Sequence, residues 1–103
     1  MDRVARIMEL LKATPGDGFL KHALALEYIK AGNEAAARQL FESILANDPN
    51  YTGSYYHLAK LLERTGETAA AIGWYEKGLA VTKAVGDRHS YNELKAAYEG
   101  LVF

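Results

Sequence analysis

The chain has no cysteine, two prolines and one tryptophan in 103 residues. Without cysteine there is no disulfide framework and no cysteine-ligated zinc. No apolar run approaches the roughly 18 residues that a membrane helix needs. The opening Met1-Asp2-Arg3-Val4-Ala5-Arg6 lacks the apolar core of a secretory signal. Neither sign of charge is in excess: 12 Lys and Arg stand against 13 Asp and Glu, which withholds the basic footprint of a nucleic-acid binder. These absences predict a cytoplasmic protein with no membrane and no nucleic-acid partner. Catalytic signatures are missing as well. There is no G-x-S-x-G, no H-E-x-x-H and no glycine loop that cradles phosphate. Gly16-Asp17-Gly18 reads as a turn, without the lysine and strand of a nucleotide loop. Glu63 with Glu67, and Glu93 with Glu99, read as surface charges. His22 and His57 fall about one repeat apart, but zinc takes three or four ligands, and no cysteine or close acidic residue completes a set. Neither an enzyme nor a cofactor is expected.

What the chain does have is a period. Written as two lines of 34 residues, 18–51 above 52–85, Leu24 falls over Leu58, Ala25 over Ala59 and Gly32 over Gly66. Ala37 falls over Ala71, Phe41 over Tyr75, Glu42 over Glu76 and Leu45 over Leu79. A fixed period of this length marks a stacked repeat, in which one unit cannot bury its apolar face without a neighbour.

Apolar residues at helical spacing predict six helices and no strand. The first covers residues 2 to 13, with Val4, Ile7, Met8 and Leu11 on one stripe and Pro15 ending it. The second runs from Asp17 or Gly18 to about Ala31, and Gly32-Asn33 forms a turn in which glycine takes a positive φ and Asn33 caps the next helix. That helix, about 34 to 46, presents Ala37, Leu40, Phe41, Ile44 and Leu45. The fourth, about 52 to 64, places Tyr55, Leu58, Ala59 and Leu62 inward. The fifth, about 68 to 84, carries Gly73 and Gly78, each costing about 1 kcal/mol against alanine. Close approach of a neighbouring helix and simple slack both explain such glycines. Ser90 caps the last helix, which runs to about Leu101 with Tyr91, Leu94, Tyr98 and Leu101 inward.

These residues resemble the tetratricopeptide-repeat family, whose pattern is W-x2-L-G-x2-Y, then A-x3-F, then P, over 34 residues of helix–turn–helix. The first repeat supplies Leu24, Ala25, Tyr28, Ala37, Phe41 and Pro49; the second supplies Tyr55, Leu58, Ala59, Leu62, Ala71 and Tyr75. Lys83 replaces the second proline, so that helix is expected to run longer. Val4 and Met8 take the places of Ala37 and Phe41 in a leading half-repeat. Lys95, where a small residue belongs, marks a terminal cap. The resemblance implies an all-α solenoid of antiparallel helix pairs in a single domain over 1–103. Its parts are a half-repeat in 2–16, repeats in 18–51 and 52–85, and a capping helix in 88–103. A start at methionine and caps at both ends read as a complete small protein, of a kind familiar in bacteria.

By the same resemblance, the first helix of each pair lines a concave groove that binds a peptide or partner protein. The candidate residues are Phe19, His22, Leu26, Ile29 and Lys30 in the first repeat, and Tyr56, His57, Lys60 and Arg64 in the second. Phe19, Leu26, Ile29 and Tyr56 form an apolar patch, since aromatic residues anchor interfaces; packing against the first helix is the other use open to some of them. Lys30, Lys60 and Arg64 suit a carboxylate. Chaperone-binding relatives clamp a terminal carboxylate with lysine, asparagine and arginine, and here those places hold His22, Leu26 and His57. A second reading is a self-assembling scaffold, a homo-oligomer formed through apolar ends that include Leu101, Val102 and Phe103.

Overall fold

The computed structural model describes residues 2–103. Among them are six helices and no strand: α1 (Arg3–Ala13), α2 (Gly18–Lys30), α3 (Glu34–Asn47), α4 (Gly53–Arg64), α5 (Thr68–Val85) and α6 (Arg88–Val102). The chain divides into two compact units, Met1–Asp48 and Pro49–Phe103.

Four of the six helices, α1, α2, α3 and α6, start on a side-chain cap; α4 and α5 do not. Asp2 Oδ1 accepts from the Ala5 N–H at 2.8 Å, Asp17 Oδ1 from Leu20 at 3.0 Å and Asn33 Oδ1 from Ala36 at 3.3 Å. Each thereby satisfies an amide that the first helical turn leaves without a partner. The cap of α6 is Asp87, whose Oδ1 accepts from Ser90 N–H at 3.1 Å. Ser90 therefore lies inside the helix, and the cap falls three residues before the position the sequence suggested. The carboxylate is the stronger acceptor, and it lies three residues before the amide it satisfies. Its Oδ2 also takes the Thr52 hydroxyl at 2.5 Å, so one side chain ties the start of α6 to the start of α4. Both hydrogen bonds favour the ionised form and hold the Asp87 carboxyl below the usual carboxylate range.

The turns inside the two repeats are alike. Gly32 (φ 80°) and Gly66 (φ 82°) are left-handed. The following amides return to the last turn, Asn33 N–H to Tyr28 C=O and Glu67 N–H to Leu62 C=O, both at 2.8 Å. This double closure satisfies carbonyls that a helix end otherwise strands, and it needs a residue without Cβ. Gly86 (φ 78°) ends α5 in the same way. With Lys83 in place of proline, α5 runs to Val85 as expected.

In the first unit α2 packs against α3 and α1. Ile7, Leu24, Ala25, Ala37, Phe41, Ile44 and Leu45 are buried. The stripe expected of α1 is only partly inside: Ile7 is buried, whereas Met8 is 48% exposed. Among the described residues α1 packs mainly on α2, so α1 buries a narrower stripe than a helix held on two sides. Tyr28, one of the repeat-pattern residues, is half-buried.

In the second unit α4, α5 and α6 all pack on one another. Tyr55, Leu58, Ala59, Leu62, Ala71, Tyr75 and Leu94 have no exposed surface. Tyr75 takes the inner place on α5, and Trp74 is half-buried, 6.1 Å from the Tyr55 ring. The buried tyrosines send their hydroxyls to acceptors: Tyr55 donates to Pro49 C=O at 2.5 Å, and Tyr75 donates to Glu63 Oε2. Glu63, read from sequence as a surface charge, is thus a packing partner of α5. Burial, then this bond, push the Tyr75 hydroxyl well above its ordinary pKa.

The two glycines of α5 have opposite settings. A Cβ on Gly78 would lie 2.8 Å from Tyr55 Cβ and 3.0 Å from Leu94 Cδ1, whereas one on Gly73 would meet nothing within 4 Å. Gly78 is where α4 and α6 both come against α5; Gly73 is slack. Gly78→Ala is therefore expected to destabilise the protein by about 1–3 kcal/mol through overpacking, and Gly73→Ala to stabilise it by up to about 1 kcal/mol. Denaturant midpoints of the two variants check the opposite signs.

Candidate functional site

The candidate residues fall on α2 in the first unit and α4 in the second, and each group has its own setting. On α2, Phe19 is 71% exposed, although it is a large aromatic residue in the first turn of a helix. It lines a cleft of about 230 Å³ with His22, Ala23, Leu26, Glu27 and Lys30 of α2 and Arg3 of α1. The floor is apolar, and charge is confined to Arg3, Glu27 and Lys30. Four of the five residues expected in this repeat share the cleft. Ile29 is half-buried and does not line it.

Two residues of this cleft escape a sequence reading. Glu27 sits between Leu26 and Tyr28, and its side chain is only 15% exposed. Its Oε2 takes Lys30 Nζ at 2.9 Å and Arg3 Nε at 3.5 Å. The spacing of Glu27 and Lys30 was a readable signal of a helical ion pair. Arg3 comes near only because α1 folds against α2. His22, half-buried, lies with its ring 5.5 Å from Phe41 in an edge-on arrangement. It is therefore partly a packing residue of α2 on α3.

On α4, Tyr56 and His57 are half-buried, with ring centroids 5.6 Å apart and edge-on. Lys60 Nζ lies 3.6 Å from Glu63 Oε2, the carboxylate that also accepts from Tyr75. This lysine is thus partly neutralised by its own helix. Arg64, in the last turn, is exposed. Among the described residues no group of three His, Cys, Asp or Glu side chains stands close enough to hold a metal ion. No helix among them is long and apolar enough to cross a membrane.

Burial lowers the pKa of His57; Glu93 of α6 opposes this, and Arg64 adds to it. The folded chain therefore binds this proton less readily than the unfolded chain does. That contribution to stability is complete above the unfolded value of about 6.5 and is lost as pH falls through the lower folded value. His57→Gln should accordingly flatten the fall in denaturation midpoint between about pH 7 and pH 5, measured beside the parent protein in the same buffers.

The comparisons with known proteins agree with this architecture. The profile for the tetratricopeptide repeat matches residues 28–98. The crystal structure of a tetratricopeptide repeat domain protein from Salinibacter ruber is 40% identical, with a TM-score of 0.79 over 82% of this chain and 94% of that one. Its solution structure gives 40% identity and a TM-score of 0.80 over 84% and 88%. A protein from Bordetella parapertussis, solved in solution, is 26% identical, with a TM-score of 0.84 over 98% of this chain and 88% of that one. No match was found among the curated proteins. Domains of this repeat are generally protein–protein interaction modules. With the period, the left-handed glycine turns and the alanine-lined helix contacts in place, the chain belongs to the tetratricopeptide-repeat family.

Proposed function

We propose that this protein is a non-enzymatic interaction module that takes a peptide or partner protein against the outward faces of α2 and α4, the helices to which the family resemblance assigns a concave groove. The observation that carries the reading is the α2 cleft. Phe19, Ala23 and Leu26 supply apolar surface there without being spent on the core, beside fixed charges. An exposed aromatic residue over an apolar floor is what an interface anchor needs, since burying it on binding releases ordered water. On α4, Tyr56 and His57 supply amphipathic rings and Lys60 and Arg64 supply cations, a composition common in protein contacts. The cytoplasm is the compartment this reading assumes.

Self-association is the second reading. Phe103 is 96% exposed, and Met8, Leu10 and Val85 are each 48% exposed. Apolar side chains left open in a repeat protein invite a further copy.

Two variants test the first reading, one in each unit: Phe19→Ala with Lys30→Glu, and Tyr56→Ala with Lys60→Glu. Both are expected to keep the parent helical circular dichroism and to lower partner capture from native lysate about tenfold, the loss of roughly 1.4 kcal/mol. Undiminished capture by both variants contradicts the assignment. Light scattering after size exclusion settles the second reading, because a monomer at 11.3 kDa removes self-association.

A further inference from the structure

The charges at the α2 cleft have an arrangement that bears on what the cleft takes. Arg3 and Lys30 both point to a single oxygen, Glu27 Oε2, at 3.5 and 2.9 Å. Neither cation has another partner among the described residues. Glu27 is largely covered, whereas the Arg3 and Lys30 side chains are 68% and 73% exposed. One shielded carboxylate therefore holds two exposed cations at the edge of an apolar cleft and leaves one positive charge uncompensated. The guanidinium has five N–H donors and the ammonium three, more than the single Glu27 oxygen can occupy. The remaining donors face solvent beside Phe19, Ala23 and Leu26.

We infer that the cleft recognises an acidic peptide segment, in which an apolar side chain enters over Phe19, Ala23 and Leu26 while the carboxylate of a neighbouring Asp or Glu residue bridges Arg3 and Lys30. This rests on the proposed role of the α2 face and specifies its ligand. Charge complementarity selects the acidic group, and the Arg3 fork suits the two oxygens of a carboxylate. Glu27 pre-pays part of the ordering of both cations, which would otherwise be spent on binding. A side-chain carboxylate fits better than a chain end. The cleft lining offers no asparagine or glutamine, and the amides in the middle of α2 are committed to the helix. Apart from His22, whose ring packs on Phe41, the cations are the side-chain donors that the lining offers an acid on a chain that passes across the cleft. A basic segment is repelled by the same pair.

The test uses the full-length protein and fluorescein-labelled octapeptide mixtures, acetylated and amidated so that no terminal charge remains. One central pair is fixed as apolar–acidic, apolar–amide, apolar–basic or serine–acidic, and the other positions are randomised. Fluorescence anisotropy is expected to rank the apolar–acidic mixture at least about tenfold above the apolar–amide one, with the preference shrinking as salt is raised. Arg3→Gln with Lys30→Gln should erase that ranking while keeping some binding through the apolar side chain. Equal binding of acidic and amide mixtures overturns the inference but leaves the interaction role of α2 standing. A preference for acid that survives in the double variant also overturns it. Failure of every mixture to bind at millimolar protein overturns both the inference and the use of this face for peptides.

Discussion

The second unit depends on a close approach made possible by what Gly78 lacks. Its missing Cβ leaves room for Tyr55 of α4 and Leu94 of α6, at 2.8 and 3.0 Å from where that atom would be. Ala59 and Ala71, with no exposed surface, play the same part along the α4–α5 contact, and Ala25 and Ala37 do so between α2 and α3. Small residues let backbones approach, and the gaps left around them are filled by Phe41, Tyr55 and Tyr75. Interiors packed to this density tolerate little change of volume in either direction. Burying tyrosine instead of phenylalanine carries a requirement for acceptors, which Pro49 C=O and the Glu63 carboxylate meet.

That packing decides what remains outside. With the inner stripes of α2 and α4 spent on Leu24, Ala25, Leu58, Ala59 and Leu62, the outward residues are free to differ between repeats. They do differ: Phe19, His22, Leu26 and Lys30 in the first repeat, Tyr56, His57, Lys60 and Arg64 in the second. The common part of the repeat builds the helix pair, and the unlike part is available for recognition. The electrostatics follow the same division. Glu63 accepts from the buried Tyr75 and Glu27 holds Arg3 and Lys30, so both carboxylates serve to position neighbouring groups.

Most of the fold was legible because the period repeats its own punctuation. Gly32 and Gly66 gave the turns, Asn33 a cap, and the alanine and aromatic markers the inner faces. The departures have tertiary causes. Ser90 and Asp87 are both plausible caps, and the choice turns on which oxygen reaches which amide. Gly73 and Gly78 are indistinguishable in one dimension, because only the approach of α4 and α6 separates them. Met8 occupies a core register, but α1 packs mainly on α2 and leaves that residue half exposed. Of the site, the α2 residues could be placed on one face from spacing alone. The i,i+3 spacing of Glu27 and Lys30 hinted at their pairing, but the part of Arg3 was not legible, since it arrives from a different helix.

The most direct measurement is amide chemical-shift mapping of the ¹⁵N-labelled protein as a captured partner is titrated in. The account predicts that the shifts concentrate on Phe19 to Lys30 of α2 and Tyr56 to Arg64 of α4, with the buried faces around Ala59, Ala71 and Gly78 little changed. Shifts concentrated instead on α3 and α5, with α2 and α4 silent, would contradict it.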